Sequence, residues 1–406
     1  MPTDGTPRPL PERANLRHLK DEAKDLMRQG QASSLAKAQF QIAQTYGFAS
    51  WPKLKAHVES LEASLREIAE LKQAIDSNDL ERVKQMMTRN PDLHGAPLGY
   101  NKNGPLTWVA ECRVPWEAPT DTRLAMAQWM IDNGSDVHQG GDGPLMRAAL
   151  VDCRIPMMEL LVNNGADVNA EWNGSFPIIF APCETVEPGA LRWLLDHGAD
   201  PNCARTGRKH SDTALDYVIG TYSRSAELGQ CIDMLIEVGC ASRRDMPAVL
   251  DLLRGRIDLL SQRLDAEPSL VGRRFPELDF GSSGGRRLEL GGATLLHVAA
   301  EYRNLEAAKL LVERGADVNA PAVMDDTGVG GQTAIFHAAT QFYEWGFPVV
   351  EFLVKMGADL SVRAKLPGHY ERPEEYVECT PLGYARLFPG RESRTLAYLV
   401  EQGGRE

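Results

Sequence analysis

Apolar residues recur at three- and four-residue intervals along most of this chain, the spacing of helices that bury one face. "MMELLVN" (157–163) and "LEAAKLLVE" (305–313) are examples, and a glycine closes each run two residues later. That glycine belongs to a phrase that keeps returning: "NGSDVH" (133–138), "NGADVN" (164–169), "HGADPN" (197–202), "RGADVN" (314–319) and "MGADLS" (356–361). A degraded copy, "VGCAS", stands at 238–242, and "EQGG" at 401–404. Glycine at this place supplies the left-handed backbone that ends a helix. A second phrase predicts the start of a shorter helix: "GPLTWVA" (104–110), "GPLMRAA" (143–149), "DTALDYV" (212–218), "ATLLHVAA" (293–300), "QTAIFHAA" (332–339) and "TPLGYA" (380–385). Threonine caps a helix entry through its hydroxyl, and proline presets φ in the first turn.

Two short helices and a loop every thirty-odd residues form a unit that cannot bury its apolar face alone, so such units stack. The phrases resemble the ankyrin repeat family, whose pattern is T-P-L-H-x-A-A followed by L-L-x-x-G-A-D-V-N, and the resemblance covers roughly residues 70–406. It implies an all-α solenoid of helix-turn-helix units with β-hairpin-like finger loops. The glycines at 134, 165 and 198 are spaced 31 and 33 apart, and later intervals widen to 41, 76, 42 and 46. The longest interval holds "IDLLSQRLDAEPSL" (257–270), which aligns with "LERVKQMMTRNPDL" (80–93) at an offset of 177. The expected organisation is therefore a first array over 63–245 and a second over 246–406, each opened by an atypical unit.

Residues 1–62 lack the repeat and form the remaining division. Leu16, Leu19, Ala23 and Leu26 share one helical face, Gly47 closes a second helix, and Ser50 with Pro52 opens a third. Leu54, Leu61, Ile68 and Ile75 then recur every seven residues, so the third helix is expected to run on into the array. This block, through "YGFASWPKLKAHVE", resembles a short helical module that precedes ankyrin repeats in many bacterial proteins. Its expected role is a cap over the apolar end of the first repeat.

In the ankyrin-like unit, fingers and first helices together line a concave face, which the resemblance implies is the binding surface. Six residues separate Asn169 from Phe176, whereas thirteen separate Asn319 from Thr333, eighteen separate Ser361 from Thr380 and twenty-three separate Leu270 from Thr294. Three enlarged fingers, near 271–292, 320–331 and 362–379, thus fall in the second array. Long ordered loops require compensating contacts, and structureless ones are uncommon unless functional. The candidate binding residues are Arg147, Tyr302, His337 and Gln341 along the groove, with His369, Tyr370, Glu371 and Arg372 in the third finger. Arg147 stands out because it takes the x position of T-P-L-H-x-A-A, which elsewhere is Trp108, Phe180, Tyr217, Val298, His337 or Tyr384.

Charge and composition narrow the partners. A net charge of -12 disfavours nucleic acid and anionic membranes and favours a basic partner surface. Hydrophobic content of 43% is that of a folded protein, and no apolar run reaches the roughly 18–20 residues of a membrane span. Seven scattered cysteines and a first segment without an apolar signal core suit a cytoplasmic protein. The chain lacks a P-loop, a dinucleotide fingerprint and HExxH or GxSxG motifs, and His369 with Cys379 is too few ligands for a metal site. No cofactor is expected. The leading expectation is a non-catalytic module that binds another protein through groove and fingers. The alternative is a small-molecule binder or enzyme with a polar pocket under the fingers, using Glu301 and His337 as acid/base partners together with Arg147.

Overall fold

A computed structural model describes residues 7–11, 14–111, 117–140, 143–172, 175–203, 212–282, 286–369, 371–372, 374–388 and 394–406, with only the backbone of residue 100. Two compact units result: Met1–Pro115 with Pro119–Gly141, and Trp116–Ala118 with Asp142–Glu406.

The first unit contains α1 (Leu16–Arg28), α2 (Leu35–Thr45), α3 (Trp51–Asp76), α4 (Leu80–Arg89), α5 (Pro105–Ala110) and α6 (Asp121–Asp132). Leu19 and Ala23 of α1, Ala38 and Ile42 of α2, and Leu54 and Val58 of α3 form one core. Ser50 is the N-cap of α3 and a proline follows in its first turn, but the Ser50 side chain makes no capping bond. The predicted long helix exists, yet its heptad is not one continuous buried stripe. Leu61 is exposed, while Leu71, Ala74 and Ile75 are buried again. The reason is that the start of α3 packs on α1 and α2, whereas its end packs on α4 and α5, leaving the middle turns in solvent. At α5 the N-cap is Gly104, which has no side chain to cap with. Gln139 substitutes for it: its Oε1 accepts from the Leu106 and Thr107 amides at 3.0 and 3.2 Å.

The second unit is a series of helix pairs. Its first members are α7 (Pro144–Ala148) with α8 (Ile155–Asn163), α9 (Phe180–Thr185) with α10 (Pro188–Asp196), and α11 (Ala214–Gly220) with α12 (Leu228–Glu237). Then follow α13 (Pro247–Leu253) with α14 (Ile257–Ala266), α15 (Leu295–Glu301) with α16 (Leu305–Glu313), α17 (Ala334–Ala339) with α18 (Phe347–Lys355), and α19 (Pro381–Arg386) with α20 (Arg394–Glu401). From α13 onward each first helix packs on the next first helix, and each second helix on the next second helix. The small residues make this approach possible: Ala299, Ala300, Ala338 and Ala385 are all buried. The phrase glycines 134, 165, 198, 239, 315, 357 and 403 all have positive φ, between 78° and 107°. Glycine alone adopts that region without a steric cost from Cβ.

The two segments related by the 177-residue offset have the same backbone. The N-cap position of α4 is Asp79 at φ -82°, ψ 80°, and that of α14 is Arg256 at φ -81°, ψ 69°. Each is followed by a 3-10 turn that starts at the matched proline, Pro91–Gly95 and Pro268–Val271.

Strands are few and short. β1 (Glu171–Trp172) pairs antiparallel with β2 (Phe176–Pro177), the six-residue finger. β3 (Ala364–Pro367) pairs with β4 (Tyr376–Cys379) in the register Ala364 to Cys379 through Pro367 to Tyr376, so this hairpin is the stem of the third enlarged finger.

Candidate functional site

The site is built on α15. Thr294 opens this helix, and His297, three residues on, accepts from the Thr294 amide through Nδ1 at 3.2 Å. With Nδ1 accepting, Nε2 carries the proton and donates to the Gln332 carbonyl at 3.0 Å, at the entry to α17. Burial pushes the His297 pKa down to about 3, so the ring is neutral. Asp216 has the same position on α11 and the same task. Its carboxylate accepts from Ser242 Oγ at 2.7 Å, the Arg243 amide at 3.1 Å and Arg244 Nη1 at 2.9 Å. Arg244 then reaches Asp279 in the first enlarged finger at 2.8 and 3.0 Å.

One turn after His297, Glu301 lies on the same helical face with 0% of its surface exposed. It accepts from Arg286 Nη2 at 2.6 and 2.7 Å, from Arg224 Nε and Nη2 at 3.0 and 2.9 Å, and from His337 Nδ1 at 2.9 Å. Burial alone would raise the Glu301 pKa, but Arg286 and Arg224, with the His337 hydrogen bond, hold it down to about 2. Arg224 also donates to the carbonyls of Thr221, Ser223 and Gly281 at 2.7 to 2.9 Å. Arg286 is less complete. Its Nε and Nη1, like His337 Nε2, are buried without a hydrogen-bond partner among the described residues. Two guanidinium groups face one carboxylate here, and burial pushes the His337 pKa down, so the cluster keeps an excess positive charge.

This cluster roots the fingers. The Arg286 backbone bridges to His369 of the third finger, and the Gly330 amide of the second donates to the Lys365 carbonyl at 2.9 Å. The Val323 amide donates to Gly292 of the first finger at 3.1 Å, and Lys365 Nζ to the Thr327 carbonyl at 3.1 Å. Tyr384 of α19, whose pKa burial raises, donates to the Pro367 carbonyl at 3.0 Å. The three enlarged fingers are therefore hydrogen-bonded to one another. Between them lies a cavity of about 450 Å³, walled by Leu288, Gly292, Val323, Met324, Leu366 and Tyr376 among others. Met324 is 63% exposed, and Val323 and Tyr376 about half.

The structure brings His337, Glu301 and Tyr302 together. Tyr302 lies under the Arg224 guanidinium, 4.4 Å from it, and donates to the Ile219 carbonyl at 3.0 Å. Gln341 is buried and donates to the His337 carbonyl at 2.9 Å. Arg147 is half-buried on α7, and its carbonyl accepts from Arg154; the cations on Glu301 are instead Arg224 and Arg286. In the third finger His369 is half-buried, Glu371 and Arg372 are exposed, and Tyr370 lies outside the described residues. Glu301 and His337 do meet as the acid/base reading expects, but both are 0% exposed and Glu301 is committed to two arginines.

Arg224 and Arg286 were not anticipated. Arg286 had a signal: in "RRLEL" it alternates with Leu288 and Leu290, and all three are buried. Arg224 had only the widened interval around it, which includes a long turn between α11 and α12. Among the described residues no helix is long and apolar enough to cross a membrane, no group of His, Cys, Asp or Glu is arranged to hold a metal, and no disulfide joins the cysteines. No curated protein matches the chain. The stretch that carries most of the first enlarged finger, the second, helices α15 and α17, and the start of the third finger is similar to a known family: residues 277–364 match the family model for ankyrin repeats, in three copies.

Proposed function

We propose that this chain is a non-catalytic interaction module that holds a partner protein against its three enlarged fingers. Ankyrin repeats are in general protein-binding modules, and the helix pairs of the second unit outside 277–364 are divergent repeats of the same kind. The observation that carries the reading is the finger platform. Its loops are cross-linked by backbone hydrogen bonds, and Val323, Met324 and Tyr376 stand exposed around the cavity. A preordered surface loses little conformational entropy on binding, and exposed apolar side chains beside a cavity supply the anchor. The partner offers a complementary apolar side chain and a basic rim, matching the Glu371, Glu374, Glu375 and Glu378 carboxylates of the third finger. Buried thiols such as Cys183 and Cys231, both raised in pKa by burial, suit a cytoplasmic setting.

The test is capture of a defined protein from native lysate by wild-type chain, repeated with Met324→Asp and Tyr376→Ala. Loss of the same protein from both variants, with helical content unchanged, supports the reading. Capture unaffected by either change, or a tightly held metabolite with no protein partner, overturns it.

A further inference from the structure

A second cavity lies away from the finger loops, at the C-terminal ends of α13 and α15, among the turns that join first to second helices. It is a cleft of about 560 Å³ whose walls hold Arg224, Arg254, Arg303, Tyr302 and Trp345, with Glu306 as the acid among the described lining residues. Most of these charges are already matched. Glu306 binds Lys309 at 2.8 Å, Arg224 is held by Glu301, and Arg254 pairs with Asp233 and Asp251.

Arg303 differs. Among the described residues it has no carboxylate at ion-pair distance and no hydrogen bond from its guanidinium, and its Nε is buried. The guanidinium lies 4.6 Å over the ring of Trp345, which is itself 54% exposed. Burial, and then the nearby Arg224, push the Arg303 pKa down. Behind the cleft, two guanidinium groups share the one Glu301 carboxylate, so positive charge is in excess at this place in a chain of net charge -12.

The backbone of Arg303 sharpens the point. It sits at φ 57°, a left-handed conformation unfavourable for a side chain with Cβ. The corresponding turns before α4 and α14 have the same hydrogen bond, Leu80 to Asn78 at 3.0 Å and Ile257 to Gly255 at 2.9 Å, as Leu305 has to Arg303 at 3.1 Å. Those turns use Asn78 at φ 56° and Gly255 at φ 68°, the residue types that tolerate this region. Turn geometry thus accounts for Asn and Gly but not for an arginine whose donors are unused.

We propose that this cleft binds a small organic oxyanion, a carboxylate or a phosphate monoester, with the anionic group received by Arg303 and the body of the molecule against Trp345 and Tyr302. A cavity of this size suits a small ligand, and a planar guanidinium presents paired donors that fit either oxyanion.

The test is calorimetric titration of the full chain with benzoate and with phenyl phosphate, in wild type and in Arg303→Gly. Glycine fits the turn, so the variant keeps its fold and its melting temperature, and Arg303→Lys serves as a second variant that keeps the charge without the fork. Saturable binding of either probe, weakened at least about tenfold in Arg303→Gly and partly restored in Arg303→Lys, supports the proposal, and the probe that binds identifies the group. No saturable binding of either at millimolar concentration, or binding undiminished in Arg303→Gly, overturns it.

Discussion

Arg286 Nη2 donates to both carboxylate oxygens of Glu301, at 2.6 and 2.7 Å, where the glutamate has no solvent contact. The bond joins the first enlarged finger to the last turn of α15, and Arg224 completes it from the turn before α12. A charged pair in this setting contributes through what its loss exposes, because an isolated buried charge is far costlier than a satisfied pair.

Glu301→Gln therefore leaves two buried guanidinium groups without a counter-charge. The expected loss of stability is about 3–5 kcal/mol, read as a lower urea midpoint. A change below about 1 kcal/mol, within the range of ordinary surface substitutions, would mean that water replaces the carboxylate and that the cluster is not sealed.

Acid sensitivity follows from the same residues. The Glu301 pKa is about 2 in the folded chain, below its ordinary 4.5, so its contribution is present above pH 4.5 and lost as pH falls toward 2. His297 stays neutral down to about pH 3, whereas in the unfolded chain it takes a proton near 6.5. The unfolded state thus binds more protons between those values, and stability falls with pH through that window. The contribution of His297 amounts to roughly 3 kcal/mol by pH 4, since each pH unit between the two pKa values is worth about 1.4 kcal/mol. Melting temperatures between pH 7 and 4 should decline for wild type and decline less steeply for His297→Gln.

Gly330 has φ 117°, and a Cβ there would run into the Val323 carbonyl while its own amide holds Lys365. Gly330→Ala should cost about 1–3 kcal/mol and release the second finger from the third. Faster amide exchange across 323–331 and 364–367, with α15 and α16 unchanged, is the expected signature.

The finger surface should show a few dominant side chains. Met324→Asp and Tyr376→Ala are each expected to weaken partner binding by about tenfold or more, with thermal stability within about 0.5 kcal/mol of wild type. Glu306→Ala, on an exposed face of α16, should leave partner affinity unchanged.

The sequence by itself determined the features that depend on local backbone. The phrase glycines lie at positive φ, Thr213 and Thr380 cap α11 and α19 through their hydroxyls, and prolines begin α5 and α7, because each choice is fixed within a few residues. The backbone match between 80–93 and 257–270 was legible for the same reason, as the same apolar spacing and the same proline give the same turn. Tertiary structure alone decided which distant residues share a partner. Arg224 stands 77 residues before Glu301 and His337 stands 36 after it. No periodicity carries that information, because the meeting depends on how neighbouring helix pairs stack. It also decided that the enlarged fingers hydrogen-bond to one another, since unpaired backbone groups of adjacent loops satisfy each other once stacking brings them within reach. The heptad on α3 marks the limit between the two. Its spacing correctly predicts a helix, but whether Leu61 is buried depends on where the neighbouring helices end.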